Sequence, residues 1–88
     1  MTLKEQYYIC TVAEFQSVTA AASRLRISQS ALTQAIQAVE KNLGVRLFDR
    51  VGKRMIPTAA GRLYVSKAHQ MLALKSEFQQ ELEDMTRN

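Results

Sequence analysis

The segment AAASRLRISQSALTQAIQAVE, from Ala20 to Glu40, constrains the fold more than any other stretch of the chain. It reads as two short amphipathic helices joined by a tight turn at Arg26-Ile27-Ser28. In the second of them, Leu32, Ile36, Val39 and Leu43 recur at intervals of four, three and four residues, which lines one side of an α-helix with apolar groups. Gln29, Ser30, Thr33, Gln34 and Gln37 lie off that stripe. The exposed side is therefore built from hydroxyls and amides instead of the usual Glu/Lys mixture. Such a helix is anchored by its apolar side and offers hydrogen-bonding groups on the other.

The flanking sequence supplies packing partners. Leu3 to Phe15 reads as a first helix in which Leu3, Ile9, Val12 and Ala13 share a face, with Tyr8 at its border. Ser17 is placed to cap the second helix, because its hydroxyl can accept from a backbone N–H one turn on. Ala20, Ala21 and Ala22 permit close approach of a neighbour, and Leu25 closes the buried face. Ile27 is expected to be buried in the turn. Ser28 caps the third helix, which runs from about Gln29 to Asn42, and Gly44 suits the left-handed residue that ends it.

Arg46-Leu47-Phe48 and Arg54-Met55-Ile56 are short strand-like pieces around Asp49-Arg50-Val51-Gly52-Lys53, where Gly52 suits the positive φ of a hairpin loop. The expectation is a small two-stranded wing with Lys53 and Arg54 near its tip. Pro57 is expected to end the pairing, and Thr58 can cap a last helix reaching about Met85. Along that helix Tyr64, Met71, Phe78 and Met85 are each seven residues apart, with Leu74 and Leu82 between them. A lone helix cannot bury such a heptad-like stripe. It packs across its own domain or pairs with the same helix of a second chain. Pairing is favoured, because the first three helices already account for one small core.

At 88 residues the chain is one domain's length, and a domain so small is marginal alone, so help from a partner chain is expected. The net charge of +4 is unevenly spread. Between Arg24 and Arg62 eight basic residues face only Glu40 and Asp49, while the segments before and after each carry −1. A basic centre coinciding with the helix pair is an electrostatic footprint for phosphates; read blandly, it is a solvated surface. The single cysteine, Cys10, rules out an intrachain disulfide and a cysteine-based zinc site, and no metal or cofactor is expected. No membrane-length apolar run or signal peptide is visible, which fits a reducing cytoplasm.

These features weigh three classes of function. Gln can bond bidentately to adenine, Ser and Thr can donate or accept at bases and phosphates, and the Thr33 methyl can meet a thymine methyl. Residues near the start of a recognition helix reach bases first, which singles out Gln29, Ser30, Thr33 and Gln34, with Ser28 and Gln37 flanking them. Arg50, Lys53 and Arg54 read as phosphate or minor-groove contacts from the wing, or as a solvated loop. The competing reading is a helical adaptor that uses only the Tyr64 to Met85 seam; the local charge of +6 argues against it. An enzyme lacks a credible set of groups: His69 has no nucleophile or ligand set beside it, and Cys10 reads as a small packing residue.

Taken together, Ser17-Val18-Thr19-Ala20-Ala21-Ala22, Leu25, Ile27-Ser28-Gln29, Leu32-Thr33, Ile36, Val39-Glu40, Leu43-Gly44-Val45-Arg46-Leu47-Phe48-Asp49-Arg50 and Thr58-Ala59-Ala60-Gly61 resemble the N-terminal domain of LysR-type transcriptional regulators. The likeness covers essentially the whole chain. It implies a mainly α fold: a winged helix-turn-helix over residues 1–58, then a linker and dimerisation helix over 59–88. It also implies a homodimer on double-stranded DNA, paired through Tyr64, Met71, Leu74, Phe78, Leu82 and Met85. Full members of the family carry a C-terminal domain for a small-molecule effector, so the chain looks like a DNA-binding fragment. By position, Gln29, Ser30, Thr33 and Gln34 fall where the family reads bases and adjoining phosphates, and Lys53 where its wing places a basic side chain in the minor groove. The chain departs from the family pattern at Ser30 (often proline), Gln34 (often arginine), Ala35 (often glutamine) and Gln37 (often basic), so base preference does not transfer from relatives.

Overall fold

The computed structural model describes residues 1–87 as four helices and one hairpin. In chain order they are α1 (Leu3–Phe15), α2 (Val18–Leu25), α3 (Gln29–Leu43), β1 (Phe48–Val51), β2 (Arg54–Pro57) and α4 (Ala59–Thr86). Each helix start has a side-chain cap. Thr2 and Glu5 form a reciprocal capping box on α1, and the hydroxyls of Ser17, Ser28 and Thr58 accept from Ala20, Ala31 and Gly61 N–H. Two non-glycine residues in the left-handed region, Gln16 (φ 52°) and Arg26 (φ 59°), end α1 and α2. Each costs about 1–2 kcal/mol against ordinary helical geometry, and each is followed within two residues by the next cap. These paired stop and start signals make the sharp corners of the helix-turn-helix.

The core gathers Ile9 and Val12 from α1, Val18, Ala21 and Ala22 from α2, and Leu32, Ile36 and Val39 from α3. It does not close there. Leu47, Phe48, Tyr64 and Ala68 belong to the same cluster, so the wing and the first turns of α4 complete it and the core runs across Thr58. The expectation that three helices suffice is corrected accordingly. Leu3 and Leu43, expected on buried faces, lie exposed at the ends of their helices, and Gln6 and Thr11 are buried in α1 instead. Gly61 shows how tightly α4 seats: a Cβ there would stand 2.0 Å from the Leu47 carbonyl oxygen.

The hairpin is shifted from the expected strands. Leu47 precedes β1, and Asp49, Arg50 and Val51 are strand residues rather than loop. The reason lies in the N–H of Leu47, which goes to the Glu40 carboxylate (2.7 Å) instead of crossing to Thr58; only the return bond of that pair, from Thr58 N–H to the Leu47 carbonyl (2.9 Å), is made. The antiparallel register pairs Asp49 with Ile56, Arg50 with Met55 and Val51 with Arg54, leaving Gly52 and Lys53 as a two-residue turn. Gly52 has φ 62° and Lys53 is not in the positive region, as in glycine-first hairpin turns. Pro57 does not stop the pairing but is its last residue, opposite Phe48; a residue lacking N–H is tolerated on an edge strand.

Candidate nucleic-acid interface

The site begins with how α3 is held. Leu32, Ile36 and Val39 are buried, which turns Gln29, Ser30, Gln34 and Gln37 outward and leaves Thr33 half-buried at the margin. The Ser28 oxygen accepts from Ala31 N–H at 3.0 Å, so its cap role occupies the acceptor and leaves the O–H to donate. With its Ser28 cap, the first turn of α3 thus carries three exposed polar side chains, Ser28, Gln29 and Ser30, on a fixed helix end.

The wing is fastened beside that end. Met55 N–H donates to the Gln16 carbonyl at 3.0 Å, and an Arg54 guanidinium N–H donates to the Gln16 side-chain oxygen. Both bonds tie β2 to the corner between α1 and α2. Along β1, alternation of side chains puts Arg50 on the same face as the buried Phe48, toward α3. Arg54 is drawn onto Gln16 and so differs from Arg50 and Lys53, which open toward the helix.

Two adjoining clefts separate α3 from the wing. One, of about 240 Å³, is lined by Thr33, Gln37, Glu40, Arg46 and Arg50 among others. The second, of about 220 Å³, is lined by Thr19, Gln29, Thr33, Arg50, Gly52 and Lys53 with Val18 and Met55. Thr33 and Arg50 line both. Among the described residues the single ion pair joins the N-terminal ammonium to Glu5, so Arg50 and Lys53 have no carboxylate neutralising them. Amide and hydroxyl groups therefore share a concave surface with unneutralised cations, the pairing that base edges and phosphates call for.

Of the expected interface residues, the fold brings Gln29, Thr33, Gln37, Arg50 and Lys53 to these clefts. Ser30 and Gln34 are exposed on α3 but line neither cleft. Three neighbours were missed from sequence: Thr19, whose hydroxyl reaches Gln29, Arg46, and the positioning residue Gln16. Thr19 sits two residues after the Ser17 cap, a place that exposes it on the first turn of α2; that was the available signal.

The pairing set needs one correction. Tyr64 is buried in its own domain's core at 5 % exposure, because α4 lies against α1 there, and it is not available to a partner. Met71, Leu74, Phe78, Leu82 and Met85 are all exposed, and every described residue from Gln70 onward lies at the surface. His69 is exposed, and burial pushes the half-buried Cys10 thiol above its ordinary pKa, away from thiolate chemistry. No helix among the described residues is long and apolar enough to cross a membrane.

This geometry has close counterparts. Residues 3–62 match the family described as bacterial regulatory helix-turn-helix protein, lysR family. The chain is 40 % identical over 74 residues to the HTH-type transcriptional regulator TfdT of Cupriavidus pinatubonensis, covering 84 % of this chain and 32 % of that protein. The CbnR DBD–DNA complex superposes with a TM-score of 0.88 at 33 % identity, covering 97 % of this chain and 98 % of that one. The BenM DBD–benA site 1 DNA complex gives 0.90 at 29 % identity, covering 98 % and 100 %. The chain spans about a quarter to a third of the length of the full regulators it matches. With its helix-turn-helix, wing and long last helix, the chain belongs to the LysR family of bacterial regulators and is the winged helix-turn-helix DNA-binding domain of that family.

Proposed function

We propose that the protein binds double-stranded DNA sequence-specifically as a homodimer, with α3 in the major groove and the wing at the minor groove. The observation that carries this reading is the cleft shared by Thr33 of α3 and Arg50 of β1. A base-reading helix and a phosphate-binding strand are fixed side by side, at the spacing set by Gln16. Gln29, Ser30, Thr33 and Gln34 read base edges; Ser28, Gln37, Arg50, Lys53 and Arg54 hold the backbone, Arg54 from its place on Gln16. Solved structures of the CbnR and BenM domains with DNA support the same use of this fold.

Residues of α4 beyond Ala68 pair two copies, so that two α3 helices meet successive major grooves of an interrupted inverted repeat. The partner seam is Met71, Leu74, Phe78, Leu82 and Met85, without Tyr64. In the whole regulator, acting in the cytoplasm, a further domain takes a small-molecule effector. A mobility-shift titration tests the central point. Binding to random duplex DNA is expected at low salt, with tighter binding to sequences enriched by in vitro selection. Absence of any shift at low salt overturns the reading and leaves the adaptor alternative.

A further inference from the structure

One hydrogen bond at the mouth of the second cleft joins side chains from different helices. The Thr19 hydroxyl donates to Gln29 Oε1 at 3.2 Å. Thr19 lies in the first turn of α2 and Gln29 opens α3; both are exposed, and both line the cleft with Thr33 and Lys53. Neither side chain is needed to close the core, so their contact has another consequence.

A glutamine amide has two ends of similar size and opposite hydrogen-bonding character. What a base meets depends on which end is held back. We propose that Thr19 is a positioning residue for base recognition: it engages the Gln29 carbonyl oxygen, so that the Nε2 donors lead into the major groove. This rests on the reading that Gln29 faces bases. Guanine, adenine and thymine all present acceptors in the major groove, whereas cytosine presents only its N4 donor. A donor-leading Gln29 therefore discriminates against cytosine on the strand it faces. The bond also removes side-chain freedom before DNA arrives, so less ordering remains to be done on binding.

The test measures base preference at every position of a selected site for the parent protein and for Thr19→Val, Thr19→Ala, Thr19→Ser and Gln29→Ala. Val and Ala both delete the hydroxyl at an exposed position, and thermal melting checks that each variant folds. Expected is a loss of discrimination against cytosine of about three- to tenfold, the range one net hydrogen bond supports. It is confined in Thr19→Val and Thr19→Ala to the base pair that Gln29→Ala also alters, with Thr19→Ser restoring it. If Gln29→Ala changes preference and neither hydroxyl-free variant does, the positioning role is overturned and the base-reading role of Gln29 stands. Uniform weakening on all sequences by both hydroxyl-free variants marks Thr19 as a phosphate contact and also overturns it. If Gln29→Ala leaves every preference intact, the reading of α3 at that residue fails and the positioning role falls with it.

Discussion

Glu40 Oε2 accepts from the Leu47 backbone N–H at 2.7 Å, and from Phe48 N–H at 3.4 Å. A carboxylate on the last turns of α3 thereby fixes the chain as it leaves for the wing. Leu47 is almost fully buried, so loss of the carboxylate leaves its N–H short of an acceptor. Glu40→Ala is expected to lower unfolding free energy by about 1–3 kcal/mol, the cost of an orphaned buried donor. Glu40→Gln keeps an acceptor and loses less. Urea denaturation reads both, and an Ala variant as stable as the parent removes this strap from the account.

Gly61 makes a sharper prediction at the same place. The nearest atom to an added Cβ is the Leu47 carbonyl oxygen, which belongs to the backbone and already accepts from Thr58 N–H. Gly61→Ala therefore has to displace α4 from the wing, at about 1–3 kcal/mol or more. Gly44 offers a control: its added Cβ meets nothing, and only its φ of 71° is penalised, by about 1–2 kcal/mol. Chemical denaturation of the two variants is expected to rank Gly61→Ala as the more damaging.

Tyr64 couples α4 packing to pH. Burial, with smaller contributions from the nearby Glu5 and Cys10, pushes its phenol up to about 12 from an ordinary 10. The folded state holds that proton more tightly than the unfolded chain does. Its contribution to stability is complete below pH 10 and is lost as pH rises toward about 12. The hydroxyl is buried with no hydrogen-bond partner among the described residues. Tyr64→Phe removes that orphaned hydroxyl and is thus expected to raise stability at pH 7, by up to about 1–3 kcal/mol, and to flatten the loss between pH 10 and 12. Thermal melts across that window check it; equal slopes for parent and variant contradict it.

Local signals made the helices legible from sequence. Ser17, Ser28, Thr58 and Gly44 act as caps through contacts within one turn, and the Leu32-Ile36-Val39 stripe needs only helical period to be seen. The wing was harder. Arg46-Leu47-Phe48 has strand-like composition, but the Leu47 N–H is taken by the Glu40 carboxylate, a tertiary bond that keeps it out of the ladder. Heptad spacing exposes the apolar side of α4 without saying what covers it; α1 covers Tyr64, and nothing among the described residues covers Phe78. The sequence marks the site as a set of α3 and wing residues, whereas its geometry depends on Gln16, which meets Arg54 across 38 positions. Pairings of that range leave no periodic trace.

The seam of α4 sets a mass prediction. Leu74 and Phe78 are 66 % and 61 % exposed, an unfavourable state for side chains that each gain about 1.5–3 kcal/mol on full burial. Changing Met71 and Phe78 together to Glu is expected to convert a dimer into monomers of intact fold, read by light scattering and circular dichroism. Tyr64→Phe is expected to leave the mass unchanged, since that side chain is already spent within one domain. An unchanged mass in the double variant takes the seam out of the assembly.

Base contacts and phosphate contacts separate by their response to sequence and salt. Gln29 and Thr33 are neutral, and both line the cleft beside the wing, so replacing either with Ala is expected to cost about 1–3 kcal/mol at one base pair and little elsewhere. Lys53 stands in the hairpin turn with no carboxylate partner among the described residues. A cation there releases about one counterion on meeting a phosphate, so Lys53→Ala is expected to weaken binding to all sequences alike and to lower the slope of log K against log salt by about one. Arg54, drawn onto Gln16, is expected to give a smaller change in that slope than Lys53 does. Titrations of each variant on selected and random duplexes at several salt concentrations distinguish these patterns. A Lys53 variant that altered the preference at a single base pair, with its salt slope intact, would assign base reading to the wing instead.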